Sequence, residues 1–212
     1  MVPGQELAVH TDVPEFRGCN RKAVPQWLLA VMHHSGLFGE WRMPIATGIA
    51  WFHDCDGGAL AYWPDGPTAP AATHESRYNT AMVLDTDTVF HGVDRIASVA
   101  ADDLPPLRPG MVLEPVGNEA WIVRAGADDP VARYTWDDLR FSVSWKAYCF
   151  RDEAEREAWR DHADDLTVDV VVDRLVDDLR ARDRVDGEVA RTPELGLLMI
   201  DEYIRFPVPA PS

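Results

Sequence analysis

The chain is short of cysteine, of basic residues and of long apolar runs, and each shortage excludes a class of protein. Three cysteines in 212 residues, none in Cys-x-x-Cys spacing, give neither a disulfide framework nor a zinc site. A reducing cytoplasm is therefore the expected compartment. No stretch reaches the roughly 18 apolar residues of a membrane-spanning helix. The first residues also lack the basic and apolar regions of a secretory signal.

Basic residues are outnumbered by acidic ones, 20 Lys and Arg against 36 Asp and Glu, which gives a net charge of −16. Nucleic acids and anionic membranes select for stripes of Lys and Arg, so we expect neither as a partner. A hydrophobic content of 46% is enough to bury one sizeable core. The eight tryptophans are numerous among the aromatic residues, and we expect several of them to line a pocket or a core.

The first feature with chemical meaning is the spacing His10-x-Asp12 at the end of an apolar run. On an extended strand, residues i and i+2 point to the same face, so an imidazole nitrogen and a carboxylate oxygen can meet at one point. His91, preceded by Val89 and Phe90, would add a second imidazole from a neighbouring strand. Two histidines and one carboxylate form the facial set that leaves open positions on iron.

Hydrophobic patterns and turn residues predict the remaining elements. A short buried helix has Pro25 in its first turn and Gly36 as its terminator, and residues 64–76 form a surface excursion with an exposed His74. Apolar residues at helical spacing predict helices after Arg151. The predicted strands are Ile45–Phe52, Ala59–Trp63, Tyr78–Val83, Ala120–Arg124 and Arg140–Trp145.

Four of these segments, in this order, resemble the core of the Fe(II)- and 2-oxoglutarate-dependent dioxygenases. They are His10-x-Asp12, a Gly58-x-Leu60 strand that ends in a Pro-x-Gly turn, His91 followed by Gly-Val, and Arg140-x-Ser142. The resemblance covers about residues 5–150. It implies a mainly β fold with α-helices, namely a double-stranded β-helix (jelly-roll or cupin-like) core at residues 1–150, with an insert at 96–138. Residues 151–212 form a helical C-terminal appendage outside it.

The resemblance implies an enzyme that binds Fe(II) through His10, Asp12 and His91 and uses 2-oxoglutarate and dioxygen. Its reaction would be the oxidation of a C–H bond by hydroxylation, desaturation or cyclisation. The far carboxylate of 2-oxoglutarate needs a planar guanidinium with a hydroxyl nearby, and Arg140 and Ser142 share one face of a strand. Arg95 competes for this role, but the residue two positions on is an alanine.

Arg17 lies on a loop soon after the predicted metal strand and is a candidate for binding a substrate carboxylate; the alternative is a solvated surface arginine. We expect a small amino acid or a carboxylate-bearing metabolite as the substrate. Two other functions remain open. One is a non-catalytic cupin-like protein that binds a metal or a small molecule, and the other is an isomerase or hydrolase that uses another divalent ion.

Two expectations concern the ends of the chain. His10 follows Met1 closely, whereas helices and strands precede this position in the family, so the chain is either a minimal member or a truncated one. The C-terminal helices are expected to cover the core. The alternative is that they form the surface of a homodimer.

Overall fold

The computed structural model describes residues 1–97, 105–118, 120–126 and 130–204. The described residues form twelve strands and four helices, which confirms a mainly β fold with α-helices. They fall into two compact units, residues 1–11 with 47–146 and residues 12–46 with 147–212. The predicted domain boundary at residue 150 stays a prediction. Residues 98–104, 119 and 127–129 of the predicted insert, and 205–212 of the predicted appendage, lie outside the described residues.

The strands are short, as is common where turns are frequent. Their bounds are β1 Leu7–His10, β2 Glu15–Phe16, β3 Arg42–Met43, β4 Ile45–Trp51, β5 Leu60–Trp63, β6 Ala72–His74, β7 Thr80–Leu84, β8 Phe90–Val93, β9 Val112–Val116, β10 Ala120–Arg124, β11 Pro130–Thr135 and β12 Ser142–Tyr148. The helices are α1 Gln26–Ser35, α2 Glu153–Arg160, α3 Val168–Ala181 and α4 Pro193–Tyr203, and a 3-10 turn covers Gly39–Trp41.

Two antiparallel sheets build the centre of the first unit, with strand orders β1-β8-β5-β6 and β12-β4-β7. Their pairs are nested along the chain: β5 pairs with β6, β4 with β7 and β1 with β8. Successive nested pairs alternate between the two sheets. The sheets are joined by a buried cluster of Trp51, Leu60 and Val93, with partly buried side chains from both sheets around it.

The alternation of side chains explains which face of each strand is inside. On β7, Met82 and Leu84 pack against the buried cluster. Ala81 and Val83, which alternate with them along the strand, are exposed. Sequence reasoning missed several strands, and β6 is one of them. It lies within the predicted surface excursion, where it pairs with β5, and His74 is half-buried against Trp51, with ring centroids 4.7 Å apart. The expectation of an exposed His74 is therefore wrong.

The described part of the insert contains a third antiparallel sheet in the order β11-β10-β9. The predicted strand Ala120–Arg124 is confirmed as its central strand, β10. Trp121 on β10 and Trp136 after β11 pack against Phe141, with ring centroids 5.1 and 4.4 Å away. The insert thus contributes an aromatic cluster to the residues next to Arg140.

The second unit has a helical core. The first helix, α1, begins at Gln26, one residue after the predicted start at Pro25. It ends before Gly36, whose φ of 71° is the left-handed conformation that favours glycine, as the sequence predicts. The helix packs against α4. Apolar residues at helical spacing on α3 fill the same core, including Val171, Leu175 and Leu179.

Side-chain caps stabilise the first turns of two of the C-terminal helices. Asp152 accepts a hydrogen bond from the backbone N–H of Glu155 at the start of α2, and Thr167 accepts one from Val170 at the start of α3. Among the described residues, no helix has the length and apolar character needed to cross a bilayer. Dimerisation through these helices stays a prediction.

Candidate metal centre

The pairing of β1 with β8 places the two predicted histidine ligands opposite each other. His10 and His91 are partners in the register of this antiparallel pair, and their ring centroids are 4.4 Å apart. Gly92 permits the pairing, because a Cβ at this position would lie 2.8 Å from the carbonyl oxygen of Leu7. Gly92 thus admits the close approach of the backbone of β1.

Asp12 completes the group, although it does not lie on the strand. The strand β1 ends at His10, and Asp12 follows it by two residues in an irregular segment. One ligand atom from each of His10, Asp12 and His91 lies within 4.8 Å of the other two. Ligands of a facial set, each bonded at about 2.1 Å, are about 3.0 Å apart. The three residues could therefore hold a metal ion once their ligand atoms approach one another by up to about 2 Å.

Hydrogen bonds fix which imidazole nitrogen carries the proton. In His10 the Nδ1 atom lies 2.8 Å from the carbonyl oxygen of Ala8, and in His91 it lies 2.9 Å from that of Val89. A carbonyl oxygen only accepts, so each Nδ1 is protonated and donates. In a neutral imidazole, Nε2 would then carry the lone pair that a metal requires. This is the backbone support expected of metal-binding histidines.

One further residue on the same face was not singled out from the sequence. Tyr62 on β5 is the register partner of His91, so its side chain projects from the same face of the sheet. It is half-buried and contacts the buried cluster around Trp51. No local motif marks Tyr62, because its place beside His91 depends on the pairing of β5 with β8.

Arg140 lies just before β12 and is buried, with 5% of its surface exposed. Its Nε donates to the carbonyl oxygen of Gly58 at 2.8 Å and to Ser76 Oγ at 3.2 Å, and its Nη1 donates to Ser142 Oγ at 3.1 Å. The guanidinium carbon lies 5.7 Å from the centre of the Trp51 ring. The structure therefore brings Arg140 and Ser142 together, and it adds Gly58 and Ser76, which sequence reasoning missed.

The charge of Arg140 has no acidic counterpart in the part of the chain that the structure describes. Its bonds go to a carbonyl and two hydroxyls, and the neighbouring ionisable side chain is the thiol of Cys55. Burial lowers the pKa of Arg140. Burial also raises the pKa of Cys55, which keeps this thiol protonated. The surroundings of Arg140 are thus positively charged, and they suit an anion.

Arg17 has the opposite environment within the second unit. It is 6% exposed, so the alternative of a solvated surface arginine is wrong. Its Nε and Nη2 bind the carboxylate of Asp164 at 2.8 Å, Nη2 also donates to the carbonyl oxygen of Glu40, and Nη1 lies 3.5 Å from Glu155. These contacts join the loop to the residues around α2. Substrate binding by Arg17 stays a prediction.

Comparison with protein-family models, with curated proteins and with solved structures gives no match. The function is therefore argued from the residues of the site and from the topology that positions them.

Proposed function

We propose that the chain is an Fe(II)- and 2-oxoglutarate-dependent oxygenase built on a double-stranded β-helix. It oxidises a C–H bond of a small amino acid or of another carboxylate-bearing metabolite. The observation that carries the proposal is the buried guanidinium of Arg140, which has no carboxylate partner among the described residues and lies in the same unit as His10 and His91.

The strand topology supports this fold. A double-stranded β-helix forms when a long two-stranded ribbon winds up, so that nested antiparallel pairs alternate between two facing sheets. The pairs β5 with β6, β4 with β7 and β1 with β8 follow this rule. The next strand of the winding, β12, lies beside β4. Seven strands thus follow the expected path, and the β9–β11 sheet is inserted between β8 and β12.

The chemistry of the ligands supports iron. Two imidazole nitrogens and one carboxylate oxygen, presented from one side, are the set that non-haem Fe(II) oxygenases use. His10 and His91 are already in the tautomer that offers Nε2. His10, Asp12 and His91 would hold the ion and leave its remaining positions open.

The charge of Arg140 supports a dicarboxylate cosubstrate. Removing a cation from water is costly unless an anion compensates it, and carboxylates bind guanidinium groups with good geometry. Ser142 Oγ accepts a hydrogen bond from Arg140 Nη1, so its own proton can be donated to the same anion. Arg140 and Ser142 would therefore bind and orient the carboxylate far from the metal. Held by these residues, Fe(II) would supply the dioxygen chemistry that joins decarboxylation of 2-oxoglutarate, to succinate and CO₂, to oxidation of a substrate C–H bond.

The test is the visible charge-transfer absorption of Fe(II) chelated by 2-oxoglutarate, measured without oxygen. We expect the band in the parent protein, its loss in His91→Ala and its weakening in Arg140→Ala. Arg95→Ala is the matched control, because Arg95 is half exposed and pairs with Glu6 at 3.1 Å. Metal binding without the band at saturating 2-oxoglutarate would contradict the proposal, and it would favour a cupin-like binding protein or an enzyme that uses another ion.

A further inference from the structure

Beside Arg140 lies a buried donor that lacks an acceptor among the described residues. Trp51, at the end of β4, is fully buried, and no hydrogen-bond acceptor of the described residues reaches its Nε1. The rest of the ring is well accommodated. It packs against His74 and against the cluster of Leu60 and Val93, and the Arg140 guanidinium lies over it. The N–H group is therefore the unmatched part of this side chain.

A buried indole N–H without an acceptor indicates that Trp51 has a role other than packing. Buried tryptophans in native proteins usually find an acceptor for this group, and a phenylalanine would supply an apolar ring without adding a donor. The cluster around Leu60 and Val93 is apolar, so the indole nitrogen gains nothing from it. The indole N–H is thus available to an acceptor that the described residues do not supply.

We propose that Trp51 donates its indole N–H to the same carboxylate that Arg140 binds. A carboxylate has two oxygens and about four acceptor positions, so it can take hydrogen bonds from several donors at once. Ser76 already donates to the carbonyl oxygen of Gly58, so its hydroxyl proton is engaged elsewhere. Arg140, Ser142 and Trp51 are then the donors of an organic carboxylate site. No metal ligand takes part in it.

The identity of the anion as the far carboxylate of 2-oxoglutarate rests on the proposed function. The role of Trp51 can be measured without iron, by following the indole N–H signals of ¹⁵N-labelled, metal-free protein during titration with succinate and then with 2-oxoglutarate. The Trp51 signal is assigned from its absence in Trp51→Phe. We expect this signal to move downfield on saturation, because a carboxylate acceptor deshields the proton. The movement should vanish in Arg140→Met.

Affinity gives a second readout. Trp51→Phe keeps a ring of similar character and removes the donor, so we expect succinate and 2-oxoglutarate to bind about tenfold more weakly, which corresponds to about 1.4 kcal/mol. Trp27→Phe is the control. It removes a partly exposed indole from α1, in the other unit, and should leave the affinity unchanged.

The outcomes separate this inference from the proposed function. An iron charge-transfer band together with an unmoved Trp51 signal and unchanged affinity in Trp51→Phe would overturn the inference alone. A moving Trp51 signal without the band would support the carboxylate site and overturn the oxygenase. If Trp51→Phe does not fold, the signal is assigned instead through its proximity to His74 in the parent protein. The movement of this signal during titration of the parent protein with succinate and 2-oxoglutarate then tests the role of Trp51.

Discussion

Metal binding should stabilise the folded chain, because its three ligands converge only when β1 pairs with β8. An ion that binds only the folded state raises the free energy of unfolding by RT ln(1 + [M]/Kd), which is about 2.7 kcal/mol at a hundredfold excess over Kd. For chains of about 150–250 residues, 1 kcal/mol raises the melting temperature by about 2–4 °C. We therefore expect saturating Mn(II), used as a redox-stable ion, to raise it by about 5–11 °C.

The decisive variant is His91→Ala, which removes the buried member of the group. It should abolish most of the rise, because the two remaining ligands hold an ion weakly. The matched control is His162→Ala in the other unit. His162 is 76% exposed and lies near a carboxylate, Asp165, but it belongs to no metal-binding group among the described residues.

The assay is thermal unfolding followed by circular dichroism, with and without the ion, for the parent and both variants. An equal rise in the parent and in His91→Ala would refute the assignment, because binding would then occur elsewhere on this acidic chain. A rise that disappears in His162→Ala would relocate the site. The absence of any rise in the parent at millimolar ion would show that the three residues do not bind a metal.

Three further predictions concern the scaffold. Gly92→Ala should lower the free energy of unfolding by about 1–3 kcal/mol and weaken Mn(II) binding, since the new Cβ would meet the backbone of β1. Gly126→Ala is the control, because a Cβ at Gly126 would have no atom within 4 Å, and it should change neither quantity. Denaturant titration measures the free energy of unfolding of both variants. Arg17→Met should lower the free energy of unfolding by about 1–3 kcal/mol and leave the Mn(II) shift intact, since it removes a buried guanidinium that bonds the partly exposed Asp164 and the carbonyl oxygen of Glu40. The hydrogen bond to Glu15 and burial raise the pKa of Tyr148 to about 12. The stability from this pair should therefore be fully present below about pH 10, the pKa of tyrosine in the unfolded chain, and should be lost as the pH rises to about 12. Ultraviolet titration of the parent protein and of Tyr148→Phe measures this pKa. An ordinary pKa for Tyr148 would contradict this reasoning.

Local signals in the sequence were sufficient for several elements. Gly36 ends α1 because glycine adopts the left-handed conformation without strain, and Pro25 precedes its first turn. The apolar spacing of α3 predicts a helix because its core-facing residues recur with the helical period. These features depend on neighbours along the chain. The meeting of His10 with His91 required a long-range pairing, and only the resemblance to a known family suggested it.

Other features depend on contacts that no local pattern encodes. Asp12 reaches the metal group from an irregular segment, so the alternation of a strand was the wrong reason for placing it there. Ser76 and Gly58 contact Arg140 from 64 and 82 positions away along the chain. The strand β6 escaped prediction because Pro, Ala, Gly and Thr around it are typical of loops, whereas pairing with β5 decides its structure.

The two buried arginines show why burial alone does not identify a functional cation. Arg17 and Arg140 are 6% and 5% exposed, and nothing in the sequence around them distinguishes one from the other. Their partners do. The charge of Arg17 is compensated by Asp164 and Glu155 without a ligand, although its Nη1 has no hydrogen-bond acceptor among the described residues. Arg140 binds only neutral oxygens among the described residues, beside an indole N–H that also lacks an acceptor. A fold retains an uncompensated buried charge at a cost in stability, and a bound anion offsets that cost. The counter-charge, which emerges only from the folded chain, is thus what assigns Arg140 rather than Arg17 to ligand binding.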